Sequence, residues 1–62
     1  MGHEKFEIYE DAGGKWRWRL KAANGSIIAD SGQGYARKED CDAGIALVIK
    51  LAPTADMQYL EK

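Results

Sequence analysis

The eight residues Lys15–Ala22, KWRWRLKA, alternate without a fault between side chains that avoid water and side chains that seek it. Trp16, Trp18, Leu20 and Ala22 fall on one side of an extended chain; Lys15, Arg17, Arg19 and Lys21 fall on the other. A period of two is that of a half-buried β-strand, because successive side chains of a strand point to opposite faces. A helix would spread the same residues around its circumference. The rest of the chain must therefore supply neighbours for the edges of this strand and a cover for its Trp face.

The flanks supply the neighbours. In Lys5–Glu10, KFEIYE, Phe6 and Ile8 alternate with Lys5, Glu7 and Tyr9, which predicts a strand. Asp11-Ala12-Gly13-Gly14 reads as a turn, and Asn24-Gly25 predicts a two-residue type I′ hairpin turn. Ser26–Asp30, SIIAD, is a third, short strand. Register follows from keeping apolar residues on one face, since a slip of one residue flips every side chain. A three-residue first loop, Ala12-Gly13-Gly14, sets Ile8 opposite Trp18 and Phe6 opposite Leu20. The second turn sets Leu20 opposite Ala29 and Ala22 opposite Ile27. The inner face is then Phe6, Ile8, Trp16, Trp18, Leu20, Ala22, Ile27 and Ala29. The outer face puts Arg19 between Glu7 and Asp30, Arg17 opposite Tyr9, and Lys21 near Ile28.

The cover comes next. Ser31-Gly32-Gln33-Gly34-Tyr35 is a loop whose glycines let the chain leave the sheet; a lone Gly-x-Gly without a βαβ setting is poor evidence for a phosphate cradle. Lys38–Ala52 carries Cys41, Ile45, Val48 and Ala52 at helical spacing, with Glu39, Asp40 and Asp42 near the positive end of the helix dipole and Pro53 as the stop. Gly44 inside this helix costs about 1 kcal/mol against Ala. Close approach of a large ring, a sheet Trp, is the expected reason. Gly44 and Leu51 widen the stripe, Leu47 and Ile49 lie off it so that the helix is apolar over more than one side, and Met57–Leu60, MQYL, reads as a short last strand.

Chemistry is harder to find. A chain of 62 residues buries only about 60% of the surface its unfolded form exposes. One Cys cannot form an internal disulfide, and one Cys with one His cannot make a structural zinc cage. No Ser-His, Cys-His or two-carboxylate arrangement can be assembled from a single His near the terminus and scattered acids. No catalytic, cofactor-binding or metal-binding residue is therefore assigned, no cofactor is expected, and the chain is not expected to be an enzyme. Cys41 reads as a small buried helix residue. There is no apolar run near the ~20 residues a membrane span requires and no apolar leader, so a cytoplasmic protein is expected. Trp and Arg on opposite sides of one strand cannot form the shared stacking-and-phosphate surface of a single-strand binder. The net charge is −1 and carboxylates flank the stripe, so weak nucleic-acid binding through Lys15, Arg17, Arg19 and Lys21 is the secondary reading.

The run FEIYED (Phe6–Asp11), then Trp18-Arg19-Leu20, Ala23-Asn24-Gly25, Ile28-Ala29, Ser31-Gly32-Gln33-Gly34-Tyr35 and Gly44-Ile45, resembles the YegP-like family of small bacterial and archaeal proteins of unknown function. The resemblance covers roughly residues 5–55. It implies a strand meander, one helix and a short following strand, with single-repeat members pairing as dimers and two-repeat members carrying both copies in one chain. It brings no catalytic residues with it. The chain departs from the family pattern at its helix: Ala36-Arg37 and Ile49-Lys50-Leu51 stand where the family tends to have Ser near the start and Lys and Asn near the end.

The expected architecture is α+β: a three-stranded antiparallel meander, one helix and a C-terminal strand (βββαβ), in a single YegP-like domain over residues 1–62. Open strand edges and surplus apolar helix residues predict completion by a second copy, giving a homodimeric structural or interaction module of unknown protein partner.

Overall fold

In the computed structural model, which describes residues 3–60, three strands form one antiparallel sheet in the order β1 (Lys5–Glu10), β2 (Trp16–Lys21), β3 (Ile27–Asp30). A helix, α1 (Lys38–Leu51), follows, and Ala52–Thr54 continue it as a 3-10 turn with Pro53 inside. The class is α+β, with the best-patterned strand at the centre of the sheet.

The first hairpin has the expected register: Phe6 faces Leu20, Glu7 faces Arg19, Ile8 faces Trp18 and Tyr9 faces Arg17. Its loop is Ala12-Gly13-Gly14, closed by hydrogen bonds from Gly14 N–H to Asp11 O and from Asp11 N–H to Lys15 O. Gly14, at φ 82°, adopts the left-handed conformation that ends such a loop. Asp11 locks the turn from the side, with Oδ1 accepting from the amides of Gly13 and Lys15.

The second hairpin departs from expectation. Its turn is not the two-residue Asn24-Gly25 type, because Asn24 does not take positive φ. Instead Ala22 N–H bonds to Ser26 O and Gly25 N–H bonds to Ala22 O, which makes a three-residue loop with Gly25 at φ 91°. The extra loop residue sets Lys21, not Ala22, opposite Ile27, and an irregularity after Leu20 restores the Leu20–Ala29 and Arg19–Asp30 pairs. Ile27 thereby leaves the inner face, and all four residues of β3 are exposed.

The loop after β3 returns to the sheet. Ser31 N–H reaches Trp18 O, and Tyr35 and Trp16 exchange two backbone hydrogen bonds of 2.8 Å each. Tyr35 then lies against α1. The ring that accounts for Gly44 is Tyr35 rather than a sheet Trp, since a β-carbon at Gly44 would sit 2.6 Å from Tyr35 Oη. The bridge to Trp16 is what places Tyr35 over the helix.

Helix α1 is preceded by Arg37 at its N-cap position, whose backbone is extended and whose side chain makes no capping hydrogen bond. Glu39 and Asp40 in the first turn and Lys50 in the last suit the helix dipole, and Lys38 pairs with Asp42 at 3.8 Å. The core it closes is small. Trp18, Cys41 and Ile45 are buried, with Phe6, Trp16, Tyr35 and Val48 packed partly around them. Phe6 meets Trp18 edge to face at 5.5 Å between centroids.

Residues 57–60 do not form the expected C-terminal strand. A strand exists through hydrogen bonds to a neighbour, and the tail makes none to the sheet: among the described residues, its backbone bonding ends with Ala55 N–H to Ala52 O. Met57, Tyr59 and Leu60 are exposed.

Candidate interaction surfaces

The outer sheet face collects every basic residue of the strand motif. Because β2 alternates, Arg17, Arg19 and Lys21 stand beside Tyr9, Glu7 and Lys5 of β1. Lys15 continues the row, and its stem runs under the loop at Gly34. Glu7 is the hub. Its carboxylate accepts from Arg19 Nε at 2.7 Å and has Lys21 Nζ at 3.7 Å and Lys5 Nζ at 3.8 Å. The Arg19 hydrogen bond, helped by Lys21 and Lys5, holds the Glu7 carboxyl below the ordinary carboxylate value. The Arg19 guanidinium also lies 4.9 Å from the Tyr9 ring centroid. Arg19 takes Glu7 as its ion-pair partner; the Asp30 half of the expected contact is limited to backbone register.

Arg17 has a partner that the pattern of the strands hides. Its Nε donates to Asp11 Oδ2 at 2.5 Å, and this contact, followed by the Lys15 and Gly13 amides, lowers the Asp11 carboxyl. The signal was present in sequence as an Asp opening a Gly-Gly turn, whose second oxygen is free to face the strand. Lys15 makes no ion pair among the described residues.

The second surface is apolar. The helix covers only the middle of the sheet, so Ile8 at its margin is 38% exposed, although it lies on the inner face. Ile27, Ile28, Leu47, Ile49 and Leu51 are all more than half exposed, from 54% at Leu51 to 62% at Ile28. Met57, Tyr59 and Leu60 rise above 80%. The chain thus exposes more large apolar side chains than it buries, spread over β3, both flanks of α1 and the tail.

Cys41 belongs to neither surface. It is fully buried on α1 against the sheet, and burial pushes its thiol above the ordinary value. A buried, protonated thiol reacts only when the helix lifts. Native protein is therefore expected to react with a thiol reagent at least about tenfold more slowly than protein in denaturant, as a timed absorbance assay would show. Equal rates would mean that α1 does not seal the sheet. Among the described residues there is no pocket, no group of three His, Cys, Asp or Glu side chains placed to hold a metal ion, and no helix long and apolar enough to cross a membrane.

The family model described as "Domain of unknown function (DUF1508)" matches residues 11–58. The chain is 54% identical over 57 residues to a UPF0339 protein of Methanosarcina acetivorans, covering 92% of this chain and 97% of that one. It is 47% identical over 57 residues to a UPF0339 protein in the ptx operon 5′ region of Stutzerimonas stutzeri, where it spans 92% of itself but only 50% of the relative. Among solved structures, the solution NMR structure of a protein from Haloferax volcanii superposes with a TM-score of 0.89 at 47% identity, covering 97% of this chain and all of that one.

Proposed function

Because the chain belongs to the DUF1508 family, small bacterial and archaeal proteins of unknown function whose names carry no enzymatic activity, we propose that it works as a homodimeric interaction module. The observation that carries this reading is the imbalance of the apolar surface. Among the described residues three side chains are buried, while Ile27, Ile28, Leu47, Ile49, Leu51, Met57, Tyr59 and Leu60 are largely in water. Monomeric proteins seldom leave so many large apolar side chains uncovered, and the open edge at β3 adds unpaired backbone groups to them. A two-fold pair covers both, because each copy presents the same helix flank, tail and strand edge to the other. The Stutzerimonas relative adds support, since a protein about twice as long has room for two such units in one chain. The interface we assign is one flank of α1, the tail 55–60 and the uncovered part of the inner sheet face. A lone buried thiol suits a reducing, cytoplasmic setting for this module.

Sedimentation equilibrium at micromolar concentration, on the full chain and on a chain ending at Pro53, tests the proposal. The full chain is expected at dimer mass and the shortened chain at weakened or lost association. A single species of monomer mass for the full chain would sink it. A dimer unchanged by truncation would remove the tail from the interface.

A further inference from the structure

The charges of the chain are divided between its layers. The outer sheet face holds five cations, Lys5, Lys15, Arg17, Arg19 and Lys21, against three carboxylates, Glu7, Asp11 and Asp30. That is a surplus of two positive charges on one face of a chain whose total is −1, so the remainder of the molecule carries a deficit of three. The ion pairs on this face do not abolish the surplus. Arg17 and Asp11 neutralise each other, but Glu7 is one carboxylate shared among Lys5, Arg19 and Lys21, and Lys15 has no ion pair among the described residues. The cations are also held in place. Arg17 and Arg19 are fixed by hydrogen bonds, and β2 projects a side chain to this face about every 7 Å along the strand.

We propose that this outer sheet face is a contact surface for the sugar–phosphate backbone of double-stranded nucleic acid, independent of base sequence. The choice of a duplex follows from what the face lacks. Single-strand binders stack bases on aromatic rings set beside their cations. Here Phe6, Trp16 and Trp18 are on the opposite face, and the Tyr9 ring is already covered by the Arg19 guanidinium. A duplex keeps its bases stacked and offers only phosphates, which is all that this face can read. The cations of this face stand on β1 and β2, away from the helix flank, the tail and the β3 edge.

Fluorescence anisotropy of a labelled random-sequence DNA duplex titrated with the full chain tests the inference. Two neutralised phosphates imply that affinity falls roughly tenfold between about 50 mM and about 200 mM salt. Charge counting also predicts opposite signs for two variants. Lys15→Gln with Lys21→Gln removes the surplus and should weaken binding about tenfold or more at low salt, whereas Glu7→Gln raises it and should tighten binding. Lys50→Gln, on the helix, should change little. Circular dichroism confirms that each variant is folded; if Glu7→Gln is not, the Lys15/Lys21 pair against Lys50→Gln carries the decision. Absence of duplex binding at low salt, preference for a single strand, or equal losses from Lys50→Gln and the Lys15/Lys21 pair would overturn the proposal.

Discussion

Trp18→Ala is expected to unfold this protein, or to leave it folded only at low temperature. Trp18 is 7% exposed and is the largest of the three side chains buried among the described residues. It touches the two layers that make up the fold, with Phe6 edge-on from β1 and Cys41 and Ile45 from α1 in the same cluster. Truncating a large aromatic in a core costs about 3–5 kcal/mol. Domains of this size have a total stability of roughly 3–9 kcal/mol, at about 0.05–0.15 kcal/mol per residue. The loss is thus comparable with the whole. Trp18→Phe separates ring packing from the indole N–H. Trp18 Nε1 is buried with no hydrogen-bond partner, a donor that costs about 1–3 kcal/mol when left unsatisfied. Phe removes that donor along with part of the ring, so its melting temperature should lie between those of wild type and Trp18→Ala. Thermal melts followed by circular dichroism decide. A Trp18→Ala melting temperature equal to wild type would mean that the Trp face of β2 does not form the core.

That face was legible because alternation is a local signal. Lys15–Ala22 states its own period, and only the three-residue first loop brings Ile8 to Trp18 without mixing faces, as observed. The second hairpin was not legible in the same way. Asn24-Gly25 is a two-residue turn cue, yet the chain builds both hairpins alike, with Gly14 and Gly25 each at positive φ closing a three-residue loop. What decides between the two turns is pairing further along β3, where the irregularity after Leu20 absorbs the extra residue. The C-terminal strand failed for a related reason. MQYL has the composition of a strand, but a strand needs an edge, and composition does not say where the edge is. On the outer face, the stripe Lys15/Arg17/Arg19/Lys21 was legible by residue, while its electrostatics were not. Carboxylates nearby suggest cancellation; only the register shows that one of them, Glu7, serves three cations. Tyr35 over Gly44 is a contact between a loop and a helix, and neither periodicity nor turn chemistry encodes it.

The glycines of that loop–helix junction carry the second large effect, and they are not equivalent. A β-carbon at Gly34 would lie 2.6 Å from Lys15 Cβ and 2.9 Å from Lys15 Cγ. Lys15 Cβ is fixed by its own backbone, and that backbone is held by the Asp11 carboxylate and by the Asp11 amide. Neither side can yield without shifting the chain between Gly34 and Tyr35. The Tyr35–Trp16 bridge lies one residue away, and with it the seat of the Tyr35 ring on α1. Gly34→Ala is therefore expected to cost about 1–3 kcal/mol, as overpacked sites do, and to lower the melting temperature by several degrees. Gly44→Ala meets a different neighbour. Its new β-carbon would lie 2.6 Å from Tyr35 Oη and 3.1 Å from Cζ, at the tip of a side chain that can swing. Alanine also gains about 1 kcal/mol of helix propensity over glycine. The net loss at Gly44 should be smaller than at Gly34, and Tyr35→Phe, which removes the hydroxyl, should recover part of it. No rescue of Gly34→Ala by Tyr35→Phe is expected, because the obstruction there is the stem of Lys15. Melting temperatures of the five proteins, the two Ala variants alone and with Tyr35→Phe together with wild type, give the comparison. If Gly34→Ala melts with wild type while Gly44→Ala falls, the loop does not pass over Lys15 as described, and Gly34 serves flexibility rather than close approach.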